Sequence, residues 1–292
     1  MRTFFDCIPC FVRQSLESAR LATSDEAVHE RVLREALRTA AEMDLRRSPP
    51  AMGQHIHRVI RECTGQNDPY REMKDHFNQM ALKLYPTLRQ WFDDSDHPIE
   101  TAVRLAIAGN VIDVAVKTQL TDAEVRESIL GALSAPFEGD VDQFVSAVRA
   151  ADKILYLADN VGEIVFDRLL IEQLQPANVT VAVRGFPVIN DATLADAETA
   201  GIDQVAAIID NGSDAPGTIL DDCSPSFREH FDQADLVIAK GQGNYETLNE
   251  VDKDIFFLLT IKCPVIARHT GYPTGTMYLE RSTASVVAGE EE

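Results

Sequence analysis

A chain of 292 residues with 47 acidic against 27 basic side chains, a net charge of −20 and 45% hydrophobic residues has the apolar material for a substantial core and the length of two structural units. That acidity argues against nucleic acid or an anionic membrane as the main partner, since each needs a basic footprint. No apolar run reaches the roughly 18 residues of a membrane-crossing helix, "MRTFFDCIPC" lacks the apolar stretch of a signal peptide, and five cysteines with one close pair do not make a secreted disulfide framework, so a cytoplasmic location is expected.

In chain order, the first 148 residues show helical periodicity almost throughout. "CFVRQSLESARLA", "VHERVLREALRTAAEMDL", "GQHIHRVIREC", "YREMKDHFNQMALKLYPTLRQWF", "IETAVRLAIAGNVIDVAVK" and "TDAEVRESILGALSAPF" repeat apolar positions at three- and four-residue steps. Thr121 or Asp122 is placed to cap the last of these, and "RRSPPAMG" and "DDSDHP" interrupt the pattern as loops. From residue 149 the period shortens. "KILYLA", "VTVAVR", "QVAAIID", "ADLVIAK" and "PVIAR" read as strands, most of them separated by helical segments. The order predicts an α/β fold with a mainly parallel sheet flanked by helices, and strands apolar without alternation fit a sheet covered on both faces. Two domains are expected, a helical one over 1–148 and an α/β one over 149–292.

Open α/β sheets bind ligands outside the carboxyl ends of their strands. Four successive strand ends here are rich in Asp, Asn and Gly: Asp159-Asn160-Val161-Gly162-Glu163, then Gly185 to Asp191, then Asp210 to Thr218, then Lys240 to Glu246. Each has a structural reading. Asn160 with Glu163 three residues later is a capping-box arrangement, Asp191 stands where an N-cap belongs before "ATLADAE", and glycines after strands supply tight turns. Capping does not require two adjacent oxygen-bearing side chains at one strand end and a third carboxylate at the next. Carboxylate and amide oxygens without His or Cys suit a hard cation that keeps waters and binds phosphate. Asp159, Asn160 and Asp191 form such a partial shell, Lys240 offers an ammonium, and "NGSDAPGT" has the composition of an anion-binding backbone nest. Nucleotide motifs are weaker: "KGQGNYE" lacks the third glycine of a dinucleotide fingerprint, and neither a P-loop nor a GxSxG elbow occurs.

"LADNVGEIVFD", "RGFPVINDAT", "DNGSDAPGT", "KGQGNYETL" and "KCPVIA", preceded by "DCIPCFVRQ", "DPYREMK" and "AIAGNVID", resemble the metal-dependent damage-control phosphatases. That family was long catalogued as a domain of unknown function numbered eighty-nine. The likeness runs in order from about residue 5 to residue 280 and is to the prokaryotic branch that carries an early CxxC. It implies a helical domain on a Rossmann-like α/β domain. The implied activity is hydrolysis of small phosphomonoesters, sugar phosphates or damaged phosphometabolites, with a divalent ion such as Mg, Mn, Co or Ni. By the same resemblance Asp159, Asn160 and Asp191 hold the metal, Lys240 lies in the phosphate pocket, and Asn110 and Asp113 reach the site from the helical domain. The catalytic set expected is Asp159, Lys240, Asp113 and Glu163, with Asp113 and Glu163 as candidates for the general base. Substrate contacts are expected from Asn110, Arg184, Gly212, Asp214, Gly217, Thr218, Gly241, Gly243, Asn244 and Glu246. The expected partner is a small phosphorylated metabolite, with neither nucleic acid nor membrane.

Cys7 and Cys10 form a C-x-x-C with no second pair to complete a zinc site. They open a helical region rather than following a strand, so a structural or accessory metal role is preferred to a thioredoxin-like one. His55 and His57 stand two apart on a helix and face different ways, which disfavours a shared ligand role. Alternative readings of the pocket are a phosphosugar isomerase or transferase, and a non-catalytic phosphometabolite sensor. Metal-dependent phosphate release separates the phosphatase from a sensor, and loss of thiol–disulfide exchange in Cys7→Ser tests a redox role.

Overall fold

The computed structural model describes residues 1–109, 122–174 and 178–282. Its described strands form one sheet: β1 (Phe137–Gly139), β2 (Ile154–Leu157), β3 (Val179–Val183), β4 (Ala207–Asp210), β5 (Leu236–Lys240), β6 (Ile255–Thr260) and β7 (Met277–Ser282). The spatial order is β1-β7-β6-β5-β2-β3-β4, and every neighbouring pair is parallel except β6 with β7. The chain runs outward from β2 through β3 to β4, then returns to place β5 on the other side of β2. This reversal opens a crevice at the carboxyl ends of β2 and β5, where Leu157 pairs with Ala239.

The strands lack hydrophobic alternation because both faces are covered. Ile154 and Tyr156 enter one core while Leu155 and Leu157 enter the other. The first core is closed by α4 (Arg71–Asp93), α5 (Pro98–Ala108), α6 (Asp122–Leu133), α7 (Val141–Ala150) and α8 (Glu163–Ile171), through residues such as Phe77, Val103, Ile129, Phe144 and Phe166. The second is closed by α10 (Pro225–Gln233), α11 (Gly241–Leu248) and α12 (Pro264–Thr270), with Phe227, Leu248 and Ile266 buried. The short α9 (Leu194–Thr199) precedes β4. Helices α1 (Cys7–Ala22), α2 (Glu26–Glu42) and α3 (Pro49–Thr64) build a third cluster around Phe11, Val32 and Ile56.

The helical N-terminal region and the mainly parallel sheet are as the periodicity implied, with three local differences. "PVIAR" is helix α12, not a strand: Pro264 sits at its first positions, and the Cys263 sulfur accepts from Ile266 N at 3.5 Å. Proline lacks the N–H a strand ladder needs but fits a first helical turn. The strand in that region is the preceding "IFFLLT". Pro49 and Pro50 likewise begin α3 instead of lying in a loop. β1 joins the sheet edge from within the stretch read as helical, and its three residues are too short to show a period.

Two polar clusters fasten the helical region over the carboxyl edge of the sheet. From α4, Lys74 contacts Asp196 at 2.9 Å, and Arg71 and Asn78 donate to the same carboxylate at 2.9 and 3.2 Å. From α3, Gln54 and Arg58 donate to Asp214 at 2.8 and 2.6 Å, joined by Arg61. Gly53 of α3 comes so close to Pro216 that a Cβ at 53 would lie 2.9 Å from its ring. Among the described residues no helix is long and apolar enough to cross a membrane.

Candidate active site

Beside the crevice between β2 and β5, the stretches that follow β2 and β3 pair with each other. Ala192 N donates to Asp159 O and Val161 N to Asn190 O, both at 2.8 Å, forming an antiparallel bridge that sets Asn160 opposite Asp191. The loop that delivers Asp191 turns at Ile189, whose φ of 42° is rare for a β-branched residue. Such a conformation costs about 1–3 kcal/mol and persists where the surroundings over-determine it. Here the Asn190 carbonyl is held by Val161, and Asp191 N donates to Val188 O at 3.0 Å.

Asn160 Nδ2 donates to Asp159 Oδ2 at 2.8 Å and to Glu163 Oε2 at 3.2 Å. Asp191 accepts from Arg184 Nε at 2.6 Å, and Arg184 Nη2 stands 3.6 Å from Asp159 Oδ1 without a hydrogen bond of its own. Arg184 Nη1 donates to Thr218 Oγ1 at 3.4 Å and Asn244 Oδ1 at 3.3 Å, so those two residues aim the guanidinium. Burial, then Asp191 and Glu163, push the Asp159 carboxyl well above the usual carboxylate range despite Arg184 and Lys262. Burial also raises Asp191, against the pull of Arg184 and Lys74. Two carboxylates thus share one guanidinium in a low-dielectric crevice, which makes a site short of positive charge.

A divalent cation fits this deficit. Asp159, Asn160 and Asp191 present only oxygen donors once the Asn160 amide nitrogen is committed, as a hard ion requires. Among the described residues no group of three or more His, Cys, Asp or Glu side chains is arranged to hold a metal. The set is instead two carboxylates and an amide, suited to an ion that completes its shell with water. Gly241, φ 80°, begins α11 directly beneath: a Cβ there would overlap the Asp159 carboxylate. Only glycine lets that carboxylate sit over a helix N-terminus, whose positive end favours it.

Several expected contacts lie elsewhere. Lys240 does not extend into the crevice. Its fully buried ammonium donates to Ala106 O at 2.8 Å, Glu163 Oε1 at 2.7 Å and Asp167 Oδ1 at 2.5 Å, which uses all three protons. Glu163 is therefore engaged through both oxygens, by Lys240 and Asn160, and is not placed to abstract a proton from water. Five amides of the "NGSDAPGT" loop are already bonded within the protein. Gly212 N donates to Asp210, Ser213 N to Asn211, Ala215 N to Ser213, Gly217 N to Ala215 O and Thr218 N to Thr247. Gly217 and Gly243 serve close packing, since a Cβ at 243 would overlap the Pro216 carbonyl, and Gly212 lies against Gly185 and Ser224. Asp214 is taken up by α3. Glu246 is buried where Gln242 donates to it at 2.7 Å, and burial pushes its carboxyl up to about 7. Asn110 and Asp113 lie outside the described residues.

The cap readings also change. Gly162, not Asn160, precedes α8, and Thr193 with Asp196, not Asp191, forms the capping box of α9. Both potential site residues are thereby released from local duty.

Three contributors carried no assignment from sequence. Asn78 Oδ1 accepts from Gly162 N at 2.9 Å and pins the turn that follows Asn160. Lys74 precedes Asn78 by one helical turn, and a Lys–Asn pair at that spacing on an amphipathic helix was the available signal. Asp167 faces Lys240, and two acids four residues apart in "EIVFDRLLI", a segment otherwise apolar but for Arg168, were the available signal. Cys7 and Cys10 open α1, all five cysteines are free thiols, and burial raises the Cys7 thiol above its ordinary value, which disfavours a thiolate. His57 is buried on Tyr70 at 2.9 Å while His55 pairs with Glu35, so the two do face apart.

The chain is similar to known proteins along nearly its whole length. The damage-control phosphatase ARMT1-like domain matches residues 3–278. A protein named damage-control phosphatase PH1575, from Pyrococcus horikoshii, is 35% identical over 289 residues, covering 97% of this chain and 99% of its own. A damage-control phosphatase of Archaeoglobus fulgidus is 34% identical over 277 residues, covering 93% and 96%. The crystal structure of the Pyrococcus protein, described as a DUF89 family protein, aligns with a TM-score of 0.88 at 34% identity, covering 97% of this chain and 100% of that one.

Proposed function

Because the chain belongs to the ARMT1-like damage-control phosphatase family, we propose that it hydrolyses small phosphomonoesters with a divalent cation held by Asp159, Asn160 and Asp191. The observation that carries the reading is the charge deficit at the β2–β5 crevice. A buried carboxylate and a largely buried one paired by a single guanidinium are costly unless a further cation joins them. Such an ion would supply Lewis-acid polarisation of the phosphoryl group and a lowered pKa for water.

The protein's own groups do the rest. Arg184 Nη2, buried and without a hydrogen-bond partner, is the donor available to a phosphoryl oxygen, replacing Lys240 in that role. Thr218 and Asn244 keep its plane fixed, so Nη2 alone is held ready for a phosphoryl oxygen at little reorganisation cost. Asp159, whose side chain retains 12% exposure against 5% for Asp191, is the member of the set nearest the opening.

The test is hydrolysis of p-nitrophenyl phosphate by purified protein across Mg, Mn, Co and Ni, with and without chelator, followed by a panel of phosphorylated metabolites. Phosphate release that requires added metal and stops with chelator is expected. Metal-dependent binding of phosphometabolites without turnover would replace the enzyme by a sensor.

A further inference from the structure

The buried ammonium of Lys240 and the carboxylate of Glu163 form a chain of contacts that ends on the candidate metal ligands. We propose that Lys240 and Glu163 are positioning residues that fix the side-chain amide of Asn160, so that its oxygen and not its nitrogen is presented to the cation. The inference rests on the metal reading above and departs from a direct Lys240–phosphate contact.

An Asn amide has two nearly isosteric orientations, and only the carbonyl oxygen can bind a cation. Here Nδ2 lies between Asp159 Oδ2 and Glu163 Oε2, at 2.8 and 3.2 Å. The flipped amide would set its oxygen against both carboxylates; Asp159 is itself a candidate ligand, so Glu163 is the outer group that holds the orientation. Glu163 in turn needs an anchor, because its carboxylate is buried. Lys240 supplies one through Oε1 at 2.7 Å, and Lys240 is itself held by Asp167 and by the Ala106 carbonyl in the last turn of α5. Gly109, just beyond that helix, lets the chain approach so closely that a Cβ would lie 3.0 Å from Glu163 Cα. The anchor is therefore set by three separate elements, α5, α8 and β5, and not by the loop it steadies. A lysine that only balanced charge would not need its three protons assigned to three acceptors, one of them the non-ligand carboxylate that touches the Asn160 amide.

Outer groups that orient metal ligands typically change metal affinity 10- to 100-fold. The experiment is calorimetric titration of Mn²⁺ into wild type, Glu163→Gln and Lys240→Met. It is joined by thermal melts, by inhibition constants for inorganic phosphate at saturating Mn²⁺, and by kcat as a function of Mn²⁺. Glu163→Gln keeps the volume but can donate to Asn160 Oδ1 and so permits the flip. It is expected to weaken Mn²⁺ about 10- to 100-fold, with its melting temperature near wild type, unchanged phosphate inhibition at saturation, and kcat recovering as Mn²⁺ is raised. Should Lys240→Met fail to fold, Glu163→Gln alone decides. Wild-type Mn²⁺ affinity in Glu163→Gln overturns the inference, as does Lys240→Met that binds Mn²⁺ normally but loses phosphate inhibition. Wild type that binds no divalent ion overturns the metal reading itself, and this inference with it.

Discussion

Two pairs of carboxylates, Asp196 with Asp214 and Asp159 with Asp191, are treated oppositely by the fold. At the seam between the helical region and the sheet, Asp196 and Asp214 each face more donors than they need. Burial pushes Asp196 up, but Lys74, Thr193 and their hydrogen bonds outweigh it and hold the carboxyl below the usual range. Burial likewise acts on Asp214 and is outweighed by Arg58, Gln54 and Arg61. In the β2–β5 crevice, Asp159 and Asp191 share Arg184, and burial wins. The saturated carboxylates fasten the two regions together, while the unsaturated pair is left with an appetite for positive charge. Local cation supply, not acidity or burial alone, separates a clasp from a site.

The contrast can be broken most severely at the clasp. Asp196→Asn leaves Lys74 buried with only Asp68, 3.5 Å away, as a carboxylate partner, and is expected to cost about 3–5 kcal/mol in urea-unfolding stability. An unchanged urea midpoint would mean the seam is not saturated as described. In the crevice the pattern should invert. Asp191→Asn is expected to lower metal-dependent kcat/KM by about 10²–10³-fold while leaving the metal-free melting temperature equal or higher, because it removes a poorly compensated charge. Loss of activity together with loss of stability would put Asp191 among the clasp residues.

A smaller effect is expected from Gly241→Ala, whose new methyl would meet the Asp159 carboxylate at a φ of 80°. The cost is about 2–3 kcal/mol from overpacking and left-handed strain, with metal affinity falling in the same variant. The smallest test uses Glu246, a buried carboxyl outside both groups, raised by burial to about 7. A carboxyl raised on folding is protonated more readily in the folded state, so its stability contribution declines as pH rises from about 4.5 to about 7. Glu246→Gln should remove that decline, gaining on the order of 3 kcal/mol at pH 8 relative to pH 4.5 in paired melts. A constant difference across pH would show that Glu246 titrates normally.

Much of the architecture was legible from periodicity, because a helical or extended period is a local property of side-chain order. "CFVRQSLESARLA" and "ADLVIAK" are helix α1 and strand β5 for that reason. "PVIAR" reads as a strand because so short an apolar run fits a strand and a short helix equally well, and the proline that opens it decides for the helix. Family membership was also legible, since its motifs survive as words at strand ends. Which member of each motif faces the crevice was not. Lys240 and Arg184 both end strands beside the switch point, yet one is drawn back by Glu163 and Asp167 while the other reaches forward to Asp191.

By itself the sequence determined the alternation of elements, the oxygen-rich strand ends, and the glycines that allow backbone and carboxylate to approach, as at Gly241. These depend on local conformation and on the chemistry of single side chains. Only the tertiary structure decided that Asp191 pairs across to Asn160 through a strained turn at Ile189, that Lys240 turns inward, and that Asn78 and Lys74 come from a distant helix to steady the crevice. Those outcomes depend on how many opposite charges reach each buried group. That balance is set by packing between elements far apart in the chain, which no local pattern records.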